Sequence, residues 1–241
     1  MKLTFGNGSN NSKLKKLQDK TGKKVYSFSV LSGWTCPFAK DCQSFAIMQD
    51  GHLTIRDGKH TKFRCFSASQ EVLWNNVYQS RKNNTELITL AAQNIGQAVE
   101  TVLANFPKNC EILRVHVAGD MKTQAYFDMW MEVARAKKNV LFYAYTKALP
   151  FWIKRKDKIP ANFNLTASEG GTRDDLILSE GLRYSKVVFS KAEARKAGLV
   201  IDTDDSHACL NRHKSQSFAL LLHGTQPKGS EASKALQKLK V

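Results

Sequence analysis

Ile112-Leu113-Arg114-Val115-His116-Val117-Ala118-Gly119-Asp120 is strand-like over Ile112 to Val117 and ends in small and acidic residues. Tyr126, Phe127, Trp130, Met131 and Ala134 follow at helical spacing. The pattern then repeats. Val140 to Tyr145 reads as a strand ending in Thr146-Lys147, with a short helix from Pro150. Asn162 to Ala167 is a strand ending in Ser168-Glu169-Gly170-Gly171, and Asp174 to Glu180 allows one or two helical turns. Lys186 to Phe189 is a strand before an Ala192–Ala197 helix closed by Gly198, and Ser217 to Leu222 is a strand before a Ser230–Leu239 helix. Strand and helix in alternation predict a parallel sheet with right-handed crossovers.

Working back towards the N-terminus, Val25 to Leu31 alternates apolar and small polar residues and gives one more strand. The total is about six β/α units, short of the eight in a closed barrel. The expected fold is α/β, a partial (open) parallel β/α barrel of about six strands; a doubly wound sheet is the alternative. In either architecture function collects at the carboxyl ends of the strands.

Between the first and second of these strands lie Ser32-Gly33-Trp34-Thr35-Cys36-Pro37-Phe38-Ala39-Lys40-Asp41-Cys42 and, further on, Arg64-Cys65-Phe66. His52 to Arg64 is expected to form an inserted β-hairpin turning at Asp57-Gly58, which would carry Cys65 back towards Cys36 and Cys42. Ser67 or Ser69 can cap a helix through Arg81. A second helix is expected from Thr85 to Asn105, stopped by Pro107.

The 241 residues suffice for one large core. Residues 1–24 are expected to form a flexible basic arm ahead of a single β/α domain over 25–241. No apolar run is long enough to span a bilayer and no apolar leader is present, so the expected location is cytoplasmic with no membrane partner. Five cysteines form no evident disulfide framework. The formal charge of +16 favours an anionic or nucleic-acid partner, although lysines spread over solvated faces give the same total.

Three thiolates brought to a strand end suit a soft or borderline metal, either zinc or an iron–sulfur cluster. Cys36, Cys42 and Cys65 are the metal candidates, with Cys209 in Ser206-His207-Ala208-Cys209 as a candidate fourth; the alternative is inert buried thiols. Cys110 begins a core strand and reads as structural. Paired C-x-x-C motifs, usual for structural zinc, are absent, which favours a 4Fe–4S cluster over zinc. Asp202, Asp204, Asp205 and His207 form an acidic loop that reads as solvated more readily than as a metal site. His223-Gly224-Thr225-Gln226-Pro227 follows a strand and opens a helix, and offers backbone N–H groups to an anion without matching a P-loop.

Several separated motifs carry a resemblance: Ser32 to Pro37, Lys40 to Cys42, Phe63 to Phe66, His116 to Asp120, Tyr143 to Lys147 and Leu222 to Pro227. Together they resemble the bacteriophage "gene product eighty-eight" family, which implies a phage origin more than a reaction. More distantly, three cysteines after the first strand of a partial barrel resemble radical S-adenosylmethionine (SAM) enzymes. That resemblance implies a 4Fe–4S cluster, SAM, an electron donor, and radical chemistry on a small or nucleic-acid substrate. It would place Gly119 and Asp120 near the SAM amino group. Apart from that resemblance, Lys147 at its strand end could meet a carboxylate or phosphate, Ser168 could approach a ligand by its backbone, and His223 lies in the loop that offers N–H groups to an anion. The cysteine spacing differs from the C-x3-C-x2-C of those enzymes, with five residues and then twenty-two intervening.

Overall fold

The computed structural model describes residues 1–239; the last two residues of the expected domain, Lys240 and Val241, lie outside it. In chain order the elements begin with β1 (Phe5–Asn7), α1 (Ser12–Thr21) and β2 (Val25–Phe28). The antiparallel pair β3 (Ser44–Gln49) and β4 (His52–Asp57) precedes α2 (Phe66–Leu73), α3 (Asn75–Gln93) and α4 (Ile95–Asn105). Then come β5 (Ile112–Val115), α5 (Gln124–Ala136), β6 (Leu141–Thr146), α6 (Leu149–Ile153), β7 (Phe163–Ser168), α7 (Asp175–Ser179) and β8 (Tyr184–Val188). The chain closes with α8 (Lys191–Lys196), β9 (Val200–Ile201), α9 (Ser206–Cys209), β10 (Phe218–Leu221) and α10 (Glu231–Leu239).

Eight strands form one sheet in the order β1-β2-β5-β6-β7-β8-β10-β9. Every pairing is parallel except β1 with β2. The six expected parallel strands therefore lie side by side in sequence order, with no reversal in the middle, which excludes the doubly wound alternative. The sheet is open: β1 and β9 are its two edges, so it is seen as an open sheet and not as a closed barrel. β1 and the two-residue β9 are additions that their short sequences did not signal.

Alternation along the strands divides the core in two. Leu113, Val115, Phe142, Ala144, Phe163 and Leu165 face one side, packed with residues of α3, α4 and α5. Phe127, Trp130 and Val133 of α5 are fully buried there, and Phe28 meets Trp130 edge-on at 5.1 Å. Burying each such large side chain stabilises the fold by roughly 1.5–3 kcal/mol. On the other side Val25, Ile112, Tyr143 and Phe218 pack with Leu14 and Leu17 of α1 and with Ala208 and Cys209 of α9.

Those leucines correct the expectation of a flexible arm over 1–24. Asn11 caps α1 through Oδ1, which accepts from the N–H groups of Lys13 and Leu14, and Gly22 ends it at φ 68°. Leu14 and Leu17, three apart on one face, are fully buried. A mostly polar composition concealed a two-leucine stripe. An inserted hairpin is also present, but it turns at Asp50-Gly51 (φ 49° and 79°) and not at Asp57-Gly58. Both Asp-Gly pairs satisfy the type I′ rule; the earlier one lets Ser44–Gln49 pair along its whole length with His52–Asp57. The two expected helices between residues 67 and 105 are three, broken where Trp74 and Asn94 adopt extended backbone. Asn94 caps α4 by accepting from the Gln97 N–H. The apolar stripe runs on through that break, so periodicity alone could not reveal it.

Candidate metal centre at the carboxyl ends of the strands

The chain leaves β2 into residues 29–43, which lie across the carboxyl ends of the neighbouring strands. Gly33 turns this segment at φ 70°, where a Cβ would sit 2.4 Å from the Ser44 carbonyl oxygen; only glycine fits. Trp34 donates from Nε1 to the Ala46 carbonyl at 3.0 Å and meets Phe45 edge-on, tying the loop to β3. Thr35 donates from Oγ1 to the Leu31 carbonyl at 2.7 Å and accepts the Asp120 N–H at 3.2 Å. Farther along, the N–H groups of Lys40 and Asp41 both donate to the Gly170 carbonyl, so the loop is pinned to the end of β7.

The segment carrying Cys65 returns to the same place. The Asp41 carbonyl accepts the N–H groups of Lys62 and Phe63, and Ser44 Oγ accepts the Cys65 N–H at 3.1 Å. Gln226 holds Arg64 from the far side: its Oε1 accepts the Arg64 N–H at 2.8 Å and its Nε2 donates back to the Arg64 carbonyl. Phe66 packs on the His223 ring at 4.6 Å, and a Cβ on Gly224 would lie 2.6 Å from that of Phe66. The segment after β4 and the loop after β10 thus bring Cys65 near Cys36 and Cys42; the hairpin expected from His52 to Arg64 does not form, since His52–Asp57 pairs with Ser44–Gln49 and residues 58–64 form no strand.

The three thiols are electrostatic neighbours. Burial pushes the Cys36 thiol well up, and Asp120, Cys65 and Cys42 each add to the rise. Burial likewise pushes Cys65 up to about 11, with Cys42 adding to it, while the N–H groups of Ala68 and Ser67 at the start of α2 pull the other way. All three retain partial exposure. Cys36 and Cys65 in this setting are neutral thiols and poor nucleophiles. Among the described residues no group of three or more His, Cys, Asp or Glu side chains is arranged to hold a single metal ion.

Glu71 of α2 sits under this cradle and was not legible in the sequence. It is fully buried, and its Oε1 accepts the Ser32 N–H at 3.0 Å, the Ser32 hydroxyl at 2.8 Å and Arg81 Nη1 at 3.0 Å. Its Oε2 is buried with no partner, as is the Ser69 hydroxyl two residues earlier on the same helix. Each unpaired buried polar group costs about 1–3 kcal/mol. At the cysteine end the chain alone leaves Glu71 Oε2 unpaired, as it leaves Trp130 Nε1 and Asn164 Oδ1 unpaired elsewhere.

The next strand ends are closed among themselves. Gly119 takes φ 80°, and a Cβ there would lie 2.3 Å from Val30 Cγ2. Asp120 Oδ1 accepts the Thr146 hydroxyl at 2.6 Å and the Met121 N–H at 2.7 Å, while Oδ2 accepts the Lys147 N–H at 2.8 Å. Burial raises its pKa against those bonds. Thr123, not Asp120, caps α5. Lys147 Nζ donates to the Ser168 carbonyl, the Ser168 hydroxyl and the Glu169 carbonyl at 3.0, 2.7 and 2.9 Å, which uses all three of its protons.

Over residues 1–238 the chain matches the family described as Gene product 88. The chain belongs to this bacteriophage family. No curated protein and no solved structure matches it. Among the described residues of this Gene product 88 protein no helix is long and apolar enough to cross a membrane.

The candidate fourth cysteine of the Gene product 88 chain lies elsewhere. Cys209 is buried on the other face of the sheet among Leu14, Leu17, Tyr143 and Phe218, where burial pushes its thiol up to about 12. Its charged neighbours are Asp205, Arg183, Lys23 and Asp202, and none of the three grouped thiols acts on it. Cys110 is buried as expected, its Sγ directed at the Ile112 carbonyl. The acidic loop is neither solvated nor a metal site, because it anchors α1. Asp205 accepts from Lys13 Nζ, Arg114 Nη1 and the hydroxyls of Tyr143 and Tyr145, and Asp202 pairs with Lys13 and with His207 Nδ1.

Proposed function

We propose that this phage protein is an iron–sulfur protein holding a 4Fe–4S cluster on Cys36, Cys42 and Cys65. The observation that carries this reading is the convergence of three thiols from two distant segments at the carboxyl end of a parallel sheet. A single tetrahedral ion needs its ligands gathered on one centre. A cluster takes each thiolate on a different iron, and the absence of paired C-x-x-C motifs favours it over zinc. The unpartnered Glu71 Oε2 beside Cys65 supports a missing group in the same place. When bound, the cluster would supply one-electron transfer.

The chain's own groups have definite tasks on this reading. Ser67 and Ala68 N–H groups favour the ionised form of Cys65. Glu71 fixes Ser32 and with it the start of the cysteine loop. Asp120 and Glu71 place negative charge near the thiols, which lowers the reduction potential of any cluster there.

The sequential strand order supports likeness to a radical SAM half-barrel. SAM itself does not fit the strand ends: Asp120, Lys147 and Ser168 already satisfy one another and the neighbouring backbone. No step is therefore assigned through SAM.

Anaerobic purification followed by visible absorption and iron and sulfide counts tests the reading. The expected result is a brown protein that loses its iron in Cys36→Ala, Cys42→Ala and Cys65→Ala and keeps it in Cys110→Ala and Cys209→Ala. A colourless protein with one zinc per chain would overturn it.

A further inference from the structure

The opposite end of the sheet has a character of its own. In a parallel sheet every connection into a strand arrives at the amino-terminal end, and here those connections are basic. Lys23 and Lys24 precede β2, Lys108 precedes β5, Lys138 precedes β6, Lys158 precedes β7 and Lys214 precedes β10. All six are exposed, and none is in an ion pair among the described residues.

The connections that present them are knitted together, so the charges lie on one continuous rim. The Lys24 carbonyl accepts the N–H groups of Glu111 and Ile112. Lys137 lays its ammonium over the Phe106 ring at 4.9 Å, joining the entries to β5 and β6. Asn162 Nδ2 donates to the carbonyls of Ala134, Lys137 and Val140, joining the entries to β6 and β7. One acid on this end, Glu180, pairs with Lys156; Glu111 accepts only the backbone N–H of Lys24 and remains an exposed acid on the rim. Asp157 is exposed there and only partly offsets the cations.

We propose that this amino-terminal rim is a surface for the phosphodiester backbone of duplex nucleic acid. A polyanion gains most from several cations set along one edge, because each neutralised phosphate releases counterions. The exposed tryptophans, Trp34 and Trp74, belong to the cysteine loop and the α2–α3 junction, so the rim offers no large aromatic platform on which unpaired bases would stack. The interaction is therefore with the backbone and carries no base readout. A duplex on this rim leaves the cysteine end uncovered, about 20 Å away along a six-residue strand. The proposal does not depend on the cluster.

Fluorescence anisotropy of the full chain with a labelled duplex DNA, measured against salt, tests it. Six phosphate contacts give a slope of log K against log salt of about −5. The triple variant K24A/K138A/K214A should weaken binding by roughly tenfold or more near 0.1 M salt and reduce the slope by about 3. The triple variant K59A/K122A/K228A removes equal charge from other exposed positions and should leave both unchanged. Equal loss in the two triples would overturn the proposal, since total charge would then suffice. So would absence of duplex binding at low salt, tighter binding to single strands, or stronger binding to phosphatidylserine vesicles than to the duplex. A thermal melt of each triple separates lost binding from lost fold.

Discussion

Acid should act on this fold through His116. The residue follows β5 in a left-handed conformation, φ 70°, with its side chain buried. Its Nε2 lies 3.0 Å from the Tyr126 hydroxyl, its ring stacks on Tyr126 and meets Trp130 edge-on, and its Nδ1 has no partner. Burial, helped by the Arg114 cation, pushes its pKa down to about 3. An unfolded histidine titrates near 6.5. As pH falls the unfolded chain therefore takes up this proton first, and stability rises with pH throughout that window. The contribution is complete above about pH 6.5 and is lost progressively towards pH 3. From pH 6.5 to 4 the loss is about 2.5 units at about 1.4 kcal/mol each, or roughly 3 kcal/mol. His223, also lowered by burial, acts with the same sign, so the variant has to isolate His116. His116→Asn keeps a residue that tolerates the left-handed backbone and cannot titrate there. Urea unfolding of both proteins at intervals from pH 7 to 4 gives the slope of stability against pH. The variant starts less stable because ring packing is lost, but its slope below pH 6 should be shallower by up to about 1.4 kcal/mol per unit. Parallel slopes would refute the account.

Three further outcomes are expected. Asp205→Asn strips the counter-charge from buried Arg114 and from Lys13, and should cost about 3–5 kcal/mol in chemical denaturation; a cost under about 1 kcal/mol would mean that the network contributes little. Gly119→Ala forces a Cβ to within 2.3 Å of Val30 Cγ2 at φ 80°, whereas at Gly22, φ 68°, nothing lies within 4 Å. The first should lose well over about 1 kcal/mol and the second about 1, and equal melting shifts would contradict the close approach. Alkylation of Cys65 in protein stripped of metal should keep accelerating up to a pH of about 11; a rate that levels off near 9 would show that the thiol is not buried as described.

The sheet was legible because its strands announce themselves twice. Leu141–Thr146 is an apolar run, as a strand buried on both faces tends to be, whereas Phe163–Ser168 alternates apolar and polar residues; each stops at a polar residue where the strand ends. The same logic failed where short elements draw their stability from distant partners. β1 exists because Phe5 pairs across to Phe28 and packs on it at 5.2 Å, and neither fact is encoded within three residues. The helix breaks at Trp74 and Asn94 interrupt the backbone without interrupting the apolar stripe, so a reading based on that stripe passes through them.

Site residues divide along the same line. Cysteines and glycines stand out by type, and three of the four proposed thiols do converge. Cys209 resembled them only in composition; its place was decided by α9 packing against β6 and β7 on the far face. Glu71 carried no signal at all, because a glutamate in a helix is most often solvated. It became informative only when the fold set it at zero exposure beneath Ser32 and left one of its oxygens unpaired. A buried carboxylate held by Arg81 and donating nothing to catalysis would be a costly way to position one serine. On the proposed reading, the same carboxylate also helps to set the potential of the cluster that the three thiols would hold. Glu71→Gln should then raise the reduction potential of the proposed cluster while leaving Ser32 held, whereas a residue that merely supports the loop would leave the potential where it was.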